Sequence, residues 1–315
     1  MSINLLYCFD ENYNDQGYTS INSFLENNKC DIFVYIIHSN PESFKKFEEK
    51  LTNKKNLKDI NLIEFNEYDY FFPNLDDAHV SEATYYRLFI DKYLPESINS
   101  ILYVDADVLC IKNYENEYKK LMLHLIESEK IIAVRNNPFV DVREKKLLMQ
   151  KLNLNHEYFN AGVMFVDLKK WRENKIRVKL LNILESEKEK IKFWDQDILN
   201  IVFENNYKTL DEGSNFLVNQ KIPKKAIEEN ENILLLHYAG SFKPWTVRGI
   251  FNENSEYYQN YYLKGGNRYY HVTHTWRFES LFLLLKNIVN LKIFKSYKPF
   301  KIFISITRSF INKPK

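Results

Sequence analysis

The regular alternation of apolar runs with helix-like segments restricts the fold of this chain more than any other feature of its sequence. Short apolar runs typical of buried strands lie at residues 3–9, 32–38, 61–65, 101–104, 131–134, 162–166 and 233–236. Segments with the spacing of amphipathic helices lie between them, at residues 18–27, 41–51, 81–93, 168–190 and 195–204. Because strands that alternate with helices form parallel sheets covered on both faces, we predict an α/β fold with a single Rossmann-like, mostly parallel sheet.

The length of 315 residues fits one large domain followed by a smaller appendage. We place the first domain at residues 1–250 and a C-terminal helical extension at residues 251–315. Cys8, Cys30 and Cys110 lie apart from one another in apolar stretches, which is typical of reduced thiols in a cytoplasmic protein. No apolar run reaches the roughly 18–20 residues of a membrane-spanning helix, and the N-terminus predicts a first strand instead of a signal peptide.

The positive charge of the chain is concentrated at its C-terminus. No acidic residue follows Glu279, whereas eight Lys and Arg residues do. Since the net charge is +2, the remainder of the chain carries −6. Basic side chains interleaved with Phe, Leu and Ile predict a segment that binds an anionic membrane surface, with a helix packed on the domain as the alternative. The acidic body argues against nucleic acid as a partner.

Two carboxylates, Asp105 and Asp107, follow the apolar strand predicted at residues 101–104. In open α/β sheets, ligands bind beyond the carboxyl ends of strands, and side chains at i and i+2 of an extended segment face the same side. Neighbouring carboxylates provide the hard oxygen ligands that Mg²⁺ and Mn²⁺ prefer. Taken alone, however, such a pair is more typical of a solvated turn at the end of a strand.

The first predicted strand also ends in polar residues, Asp10, Asn12 and Tyr13. The carboxylate and the amide can bond the edges of a base or a ribose, and the Tyr ring can stack on a flat ring. A polar turn between strand and helix is an equally good interpretation of this segment by itself.

A third predicted strand ends in His237, which follows three leucines. Its imidazole would complete a metal site with the two carboxylates, although a His after an apolar run is more often a core residue. Beyond it, Gly240 permits close approach of the backbone to a phosphate, and Lys243 provides a positive charge.

Three further segments carry polar residues that fit a ligand site less specifically. Arg87 in the helix predicted at residues 81–93 either reaches a diphosphate or is solvated, and Asn160 either bonds a sugar hydroxyl or caps a turn. Asp195 and Gln196 begin a predicted helix, where acids are also favoured by capping and by the helix dipole.

The segments that carry these residues occur together and in one order. FDENY, TYYRL, LYVDADVL, YFNAGVMFVDLKKWR, WDQDILN and HYAGSFKPW resemble, in order and rough spacing, the retaining glycosyltransferases of family 8. The resemblance covers residues 3–245, and its most specific parts are YFNAGVMFVDLKKWR and HYAGSFKPW. That family includes bacterial lipopolysaccharide galactosyl- and glucosyltransferases and the glycogenins.

The resemblance implies a GT-A fold, a UDP-hexose donor and Mn²⁺, with Mg²⁺ as a possible substitute. By position, it implies that the metal is held by Asp105, Asp107 and His237. It also implies that the donor is bound by Asp10, Asn12, Tyr13, Arg87, Ala106, Asn160, Gly240 and Lys243. The residues that it places nearest the anomeric carbon, as catalytic residues, are Gln196 and Asp195.

The sequence leaves the donor and the acceptor open. Relatives commonly carry an acid that contacts the donor sugar where this chain has Arg135-Asn136-Asn137. Asn136 can still accept a hydrogen bond but brings no charge, so galactose, glucose and another hexose all remain candidates. We predict transfer to lipopolysaccharide, lipooligosaccharide or another cell-surface glycan, by an enzyme on the inner face of the cytoplasmic membrane. The alternatives are a catalytically inactive protein that binds nucleotide sugars and a self-glycosylating protein of the glycogenin type.

Overall fold

The computed structural model describes residues 2–67, 69–70, 72, 81–137, 142–240, 242–273, 277–291 and 293–311. The strands in this part of the chain are β1 Ser2–Phe9, β2 Asp31–His38, β3 Leu57–Glu64, β4 Ser100–Val104, β5 Val108–Cys110, β6 Ile132–Asn136, β7 Phe159–Asp167, β8 Lys208–Thr209, β9 Phe216–Leu217 and β10 Leu235–His237. The α/β architecture is therefore confirmed.

The α-helices lie between the strands and after the last of them. They are α1 Asn14–Asn27, α2 Lys45–Leu51, α3 Ile90–Tyr93, α4 Glu115–Glu127, α5 Val142–Lys151, α6 Leu168–Glu173, α7 Ile176–Ser186, α8 Trp194–Val202, α9 Lys224–Glu229, α10 Ser255–Lys264, α11 Arg277–Val289 and α12 Pro299–Ile311. Short 3₁₀ helices lie at Glu11–Tyr13, Pro41–Phe44, Glu82–Phe89, Glu212–Asn215 and Ile293–Lys295. Two predicted helices are thus divided: residues 81–93 are mostly 3₁₀, and residues 168–190 break where Lys175 adopts a left-handed conformation, with φ of 52°.

The main sheet has seven strands in the order β3-β2-β1-β4-β7-β6-β8. β1 to β4 pair in parallel, but β7 runs antiparallel to both of its neighbours, so the sheet is mixed. This pairing aligns Val104, at the end of β4, with Val163, in the middle of β7, so residues 159–162 extend beyond the end of β4. The residues that enter β7 therefore lie at the same edge of the sheet as the residues that leave β4.

A second sheet of three strands, in the order β5-β10-β9, corrects the prediction of a single sheet. β10 pairs antiparallel with β5, and His237 lies opposite Val108. His237 therefore ends a strand of this smaller sheet, and the pairing places it beside Asp107. The predicted strand was real, but a three-residue apolar run does not indicate which sheet it joins.

The apolar core lies on both faces of the main sheet. On β7, all nine residues are buried, and alternate side chains face opposite layers: Met164 packs with Leu6 and Tyr103, whereas Phe165 packs with Leu5. The three cysteines are free thiols, as predicted.

The last helices pack on the body of the protein. The hydroxyl of Tyr18 on α1 donates to the carbonyl of Gly265 at 3.2 Å, and Ile302 and Ile306 of α12 are fully buried in a cluster with Val247. Within the described residues, no helix combines the length and the apolar character needed to cross a membrane. The division of the chain at residue 250 stays a prediction.

Candidate active site

A cleft at the carboxyl edge of the main sheet brings together most of the residues that the sequence singled out. Its walls come from the ends of β1, β4 and β10, the start of β7, the 3₁₀ helix Glu82–Phe89 and the start of α8. The residues that line it include Tyr13, Arg87, Asp105, Ala106, Asp107, Asn160, Asp195, Gln196, His237, Gly240 and Lys243. Asp10 and Asn12 lie next to Tyr13 but are not among the lining residues of the described chain.

Asp105 and Asp107 lie in a turn between β4 and β5, and not in an extended segment as predicted. The backbone N–H of Val108 donates to the carbonyl of Asp105 at 3.1 Å and closes the turn. One carboxylate oxygen of each Asp and one ring nitrogen of His237 nonetheless lie within 4.8 Å of one another. The turn and the antiparallel β5–β10 pair produce this convergence together.

The donor atoms of this cluster fit a divalent cation. Oδ1 of Asp107 is buried and has no hydrogen-bond partner among the described residues, and it faces Nε2 of His237 at 3.3 Å. Carboxylate oxygens with one imidazole nitrogen suit Mn²⁺. Gly162 lines the cluster: a Cβ at this position would lie 2.6 Å from Oδ2 of Asp105 and 2.3 Å from Cε1 of His237.

Lys243 supplies positive charge at the same place. Its Nζ donates to Oδ2 of Asp107 and, at 2.8 Å, to the carbonyl of Tyr238. Burial by itself raises the pKa of Asp107, but Lys243 and His237 outweigh it and hold this pKa well below its usual value. Asp107 is therefore ionised across the physiological range.

Arg87 lies beneath the cleft and joins two carboxylates. Its Nη2 donates to Oδ1 of Asp105 at 3.0 Å, and its Nε lies 2.8 Å from Oδ2 of Asp195. Its Nη1 donates to the carbonyl of Ala161 at 2.7 Å, and the guanidinium stacks on the ring of Tyr103. Arg87 thus fixes Asp105 and the start of β7, while its contact with a donor substrate stays a prediction.

Asp195 is fully buried at the start of α8. Its Oδ1 accepts a hydrogen bond from the hydroxyl of Thr84, and Arg87 is its ion-pair partner. Burial raises the pKa of Asp195 to about 6, because the attraction of Arg87 and the hydrogen bond of Thr84 only partly offset it. The preceding residue, Trp194, has φ of 49°, a conformation that costs a bulky residue about 1–3 kcal/mol and that occurs mainly at functional sites.

Gln196 is held by three hydrogen bonds. Its Oε1 accepts from the backbone N–H of Ala161 at 3.0 Å and from Nδ2 of Asn160 at 3.2 Å. Its Nε2 donates to the hydroxyl of Tyr158 at 3.0 Å, and that hydroxyl donates to Asp197 at 2.5 Å. Gln196 and Asn160 are therefore neighbours in the cleft, and their amides are oriented by the protein.

Several residues of this network were missed by the sequence analysis: Thr84, Tyr103, Tyr158, Asp197 and Asn215. Thr84, Tyr158, Asp197 and Asn215 bond residues far away in the chain, and Tyr103 bonds Asp105 two residues away, but no motif in the sequence marked these side chains. Asp197 lies in WDQD at the start of a predicted helix, where capping and the helix dipole favour an acid.

Residues 135–137, where the sequence departs from the family pattern, are not among the described residues that line the cleft. Arg135 donates to the backbone carbonyl of Asn215 at 2.6 Å and to Glu212 at 2.8 Å. Oδ1 of Asn136 accepts from the hydroxyl of Tyr207 at 3.0 Å. An amide oxygen has two lone pairs, so Oδ1 of Asn136 can still accept a second hydrogen bond.

Comparison with known proteins gives the class of this chain. Residues 4–249 match the sequence profile described as Glycosyl transferase family 8. The chain belongs to this family and is a glycosyltransferase of class EC 2.4.1. The family generally uses a divalent metal and a UDP-sugar, and Asp105, Asp107 and His237 are the candidate metal ligands.

Two relatives and one solved structure are similar to most of this chain. The lipopolysaccharide 1,2-glucosyltransferase of Escherichia coli K12 is 30% identical over 262 residues, which cover 79% of this chain and 74% of the relative. General stress protein A of Bacillus subtilis is 26% identical over 278 residues, covering 81% of this chain and 92% of the relative. The crystal structure of the galactosyltransferase LgtC with donor and acceptor sugar analogues superposes with a TM-score of 0.70 at 23% identity, over 87% of this chain and 99% of LgtC. This last similarity establishes a fold like that of LgtC.

Proposed function

We propose that this protein transfers a hexose, galactose or glucose, from a UDP-sugar to a saccharide acceptor with retention of configuration. The observation that carries the proposal is the convergence of Asp105, Asp107 and His237 in the cleft, where one buried carboxylate oxygen has no hydrogen-bond partner among the described residues. Such a cluster suits a divalent cation, which would neutralise the charge of a diphosphate.

The residues of the cleft divide into three proposed groups. Asp105, Asp107 and His237 hold the metal. Uridine and the diphosphate are bound by Asp10, Asn12, Tyr13, Ala106, Gly240 and Lys243. The donor sugar is contacted by Arg87, Asn160, Asp195 and Gln196.

The chemistry follows from the charges of these groups. When bound, the cation supplies Lewis-acid neutralisation of the charge that develops on the departing UDP. Lys243 adds positive charge beside the same group, and the carboxylate of Asp195 offsets positive charge at the anomeric centre. Because the amide of Gln196 is a weak nucleophile, we favour attack by the acceptor on the face from which UDP leaves.

We propose a lipopolysaccharide-like acceptor at a membrane surface. Relatives named as lipopolysaccharide glucosyltransferases support the acceptor. The surface of α11 supports the location: Phe278, Phe282, Leu285 and Val289 follow helical spacing along one face and are 53–90% exposed. Lys292, Lys313 and Lys315, which contribute to the basic charge of the tail, lie outside the described residues.

The test is release of UDP by purified protein from a panel of UDP-sugars, with Mn²⁺ or with EDTA, first without an acceptor. We expect a signal that requires the metal and selects one sugar. Asp107→Asn, which keeps the shape of the side chain and removes its charge, should lower this signal at least about 100-fold, as is typical for loss of one transition-state stabilising group. Asp31→Asn, at an exposed ion pair of β2, is the matched control.

The same experiment separates the alternatives. If UDP-sugars bind but no UDP is released with or without glycolipid acceptors, the protein is a nucleotide-sugar-binding protein and the proposal fails. If the protein gains the mass of a hexose in the absence of any acceptor, it belongs to the self-glycosylating type.

A further inference from the structure

The hydrogen bonds between β7 and His237 can be assigned without ambiguity, because they begin at a backbone donor. The N–H of Gly162 donates at 3.1 Å to the side chain of Asn160, which identifies the accepting atom as Oδ1. The same Oδ1 lies 2.9 Å from the side chain of Asn215, whose contacting atom must therefore be Nδ2.

The assignment continues from Asn215 to His237. With Nδ2 directed at Asn160, the remaining amide oxygen of Asn215 faces Nδ1 of His237 at 2.9 Å. An amide oxygen can only accept, so Nδ1 carries a proton. Both residues are buried, and the backbone carbonyl of Asn215 is held by Arg135.

We propose that Asn215 is a positioning residue that keeps the proton of His237 on Nδ1 and so leaves Nε2 to face the carboxylates as a metal ligand. This inference rests on the proposed function only in assigning the metal. Metal-bound His residues commonly donate their other ring N–H to a protein acceptor, which fixes the ring and its tautomer. Here the acceptor is a neutral amide, which is itself oriented by a chain of bonds that begins at Gly162.

The same series of hydrogen bonds joins the proposed metal cluster to Gln196. Asn160 accepts from Asn215 through Oδ1 and donates to Gln196 through Nδ2 at 3.2 Å. The orientation of His237 and the orientation of Gln196 are therefore set by one hydrogen-bonded network. Asn215 is hydrogen-bonded to both Asn160 and the imidazole in that network.

The first test observes the proton directly. In metal-free protein labelled with ¹⁵N-histidine, long-range ¹H–¹⁵N correlation in mildly alkaline buffer reports which ring nitrogen is protonated, and His237→Gln identifies the signal. We expect Nδ1 of His237 to be protonated, and we expect Asn215→Leu, which has a similar shape and no acceptor, to remove that preference. An unprotonated Nδ1 in the parent would overturn the proposal, whatever the outcome for metal or activity.

The second test measures Mn²⁺ affinity by calorimetry without nucleotide. Asn215→Leu should weaken binding about 10- to 100-fold, as is typical for the loss of such a partner. Asn215→Asp retains an acceptor for Nδ1–H, so its Mn²⁺ affinity should equal or exceed that of the parent. The carboxylate oxygen that replaces Nδ2 would face Oδ1 of Asn160 with no hydrogen between the two acceptors, which should lower kcat for UDP release.

The matched control is Asn14→Leu. Oδ1 of Asn14 contacts Nε2 of buried His38 at the same 2.9 Å, outside the metal cluster, so its loss should lower the melting temperature without changing Mn²⁺ affinity. If Asn215→Leu does not fold, Asn215→Asp decides: a loss of affinity there contradicts the assigned direction of the bond. A parent that binds no Mn²⁺ would refute the metal in the proposed function, and the NMR result would still decide the role of Asn215.

Discussion

Replacing Gly162 with Ala tests the geometry of the metal cluster with a single methyl group. The added Cβ would lie 2.3 Å from Cε1 of His237, 2.6 Å from Oδ2 of Asp105 and 2.9 Å from Nε2 of His237. Ordinary contacts of a Cβ begin at 3.4 Å, so at least one of these ligands would have to move by about 1 Å.

Neither ligand can move that far without losing other contacts. Asp105 is held by Arg87 and by the hydroxyl of Tyr103 at 2.6 Å, and His237 is held by Asn215 and by its strand pairing. Overpacking of this kind costs about 1–3 kcal/mol of stability. Metal sites require ligand distances within about 0.2 Å, so we expect Mn²⁺ affinity to fall at least about tenfold, or about 1.4 kcal/mol.

The assay combines a Mn²⁺ titration, thermal unfolding and metal-dependent UDP release on the same samples. Gly266→Ala is the control, because Gly266 has φ of 85° and a Cβ there meets nothing within 4 Å. It should lose about 1–2 kcal/mol through backbone strain and keep its metal affinity. A Gly162→Ala protein that binds Mn²⁺ as tightly as the parent would refute the close contact of Gly162 with Asp105 and His237.

Two further predictions concern the buried carboxylate of Asp195 and the tail. Since burial raises the pKa of Asp195 to about 6, UDP release should increase as the pH rises through this value, and Asp195→Asn should remove the inflection; an unchanged profile would assign it to another group. Because the pKa of Asp195 is higher in the folded state than in the unfolded state, the folded state binds this proton more tightly. The contribution of Asp195 to the free energy of unfolding therefore falls as the pH rises from 3.8 to about 6. For the tail, replacing both Phe282 and Val289 with Ser should weaken sedimentation with anionic vesicles at least about tenfold, given roughly 1.5–3 kcal/mol for each fully buried apolar side chain. Leu147→Ser, at an exposed apolar residue of α5, should bind like the parent, and equal binding by the double variant would exclude α11 as the contact.

The sequence by itself determined the layered α/β architecture and the segments that carry the site. Strand and helix periodicity are local properties, so most of the predicted strands and helices lie within a few residues of their predicted bounds. The sequence analysis did not predict β5, β8, β9, α4, α5 or α9. The residues with metal-binding chemistry were visible for a similar reason, because carboxylates and a His at strand ends are recognisable by type and position. Their roles, apart from the candidate metal group, remain predictions.

Only the tertiary structure decided how those segments meet. Periodicity does not reveal that β7 runs antiparallel or that β10 leaves the main sheet, and these two pairings bring Asn160 and His237 to Asp107. Asn215 shows the same limit at the level of one side chain. Its importance comes from simultaneous contacts with Asn160 and His237, and such contacts depend on strand register and burial, which are properties of the folded chain as a whole.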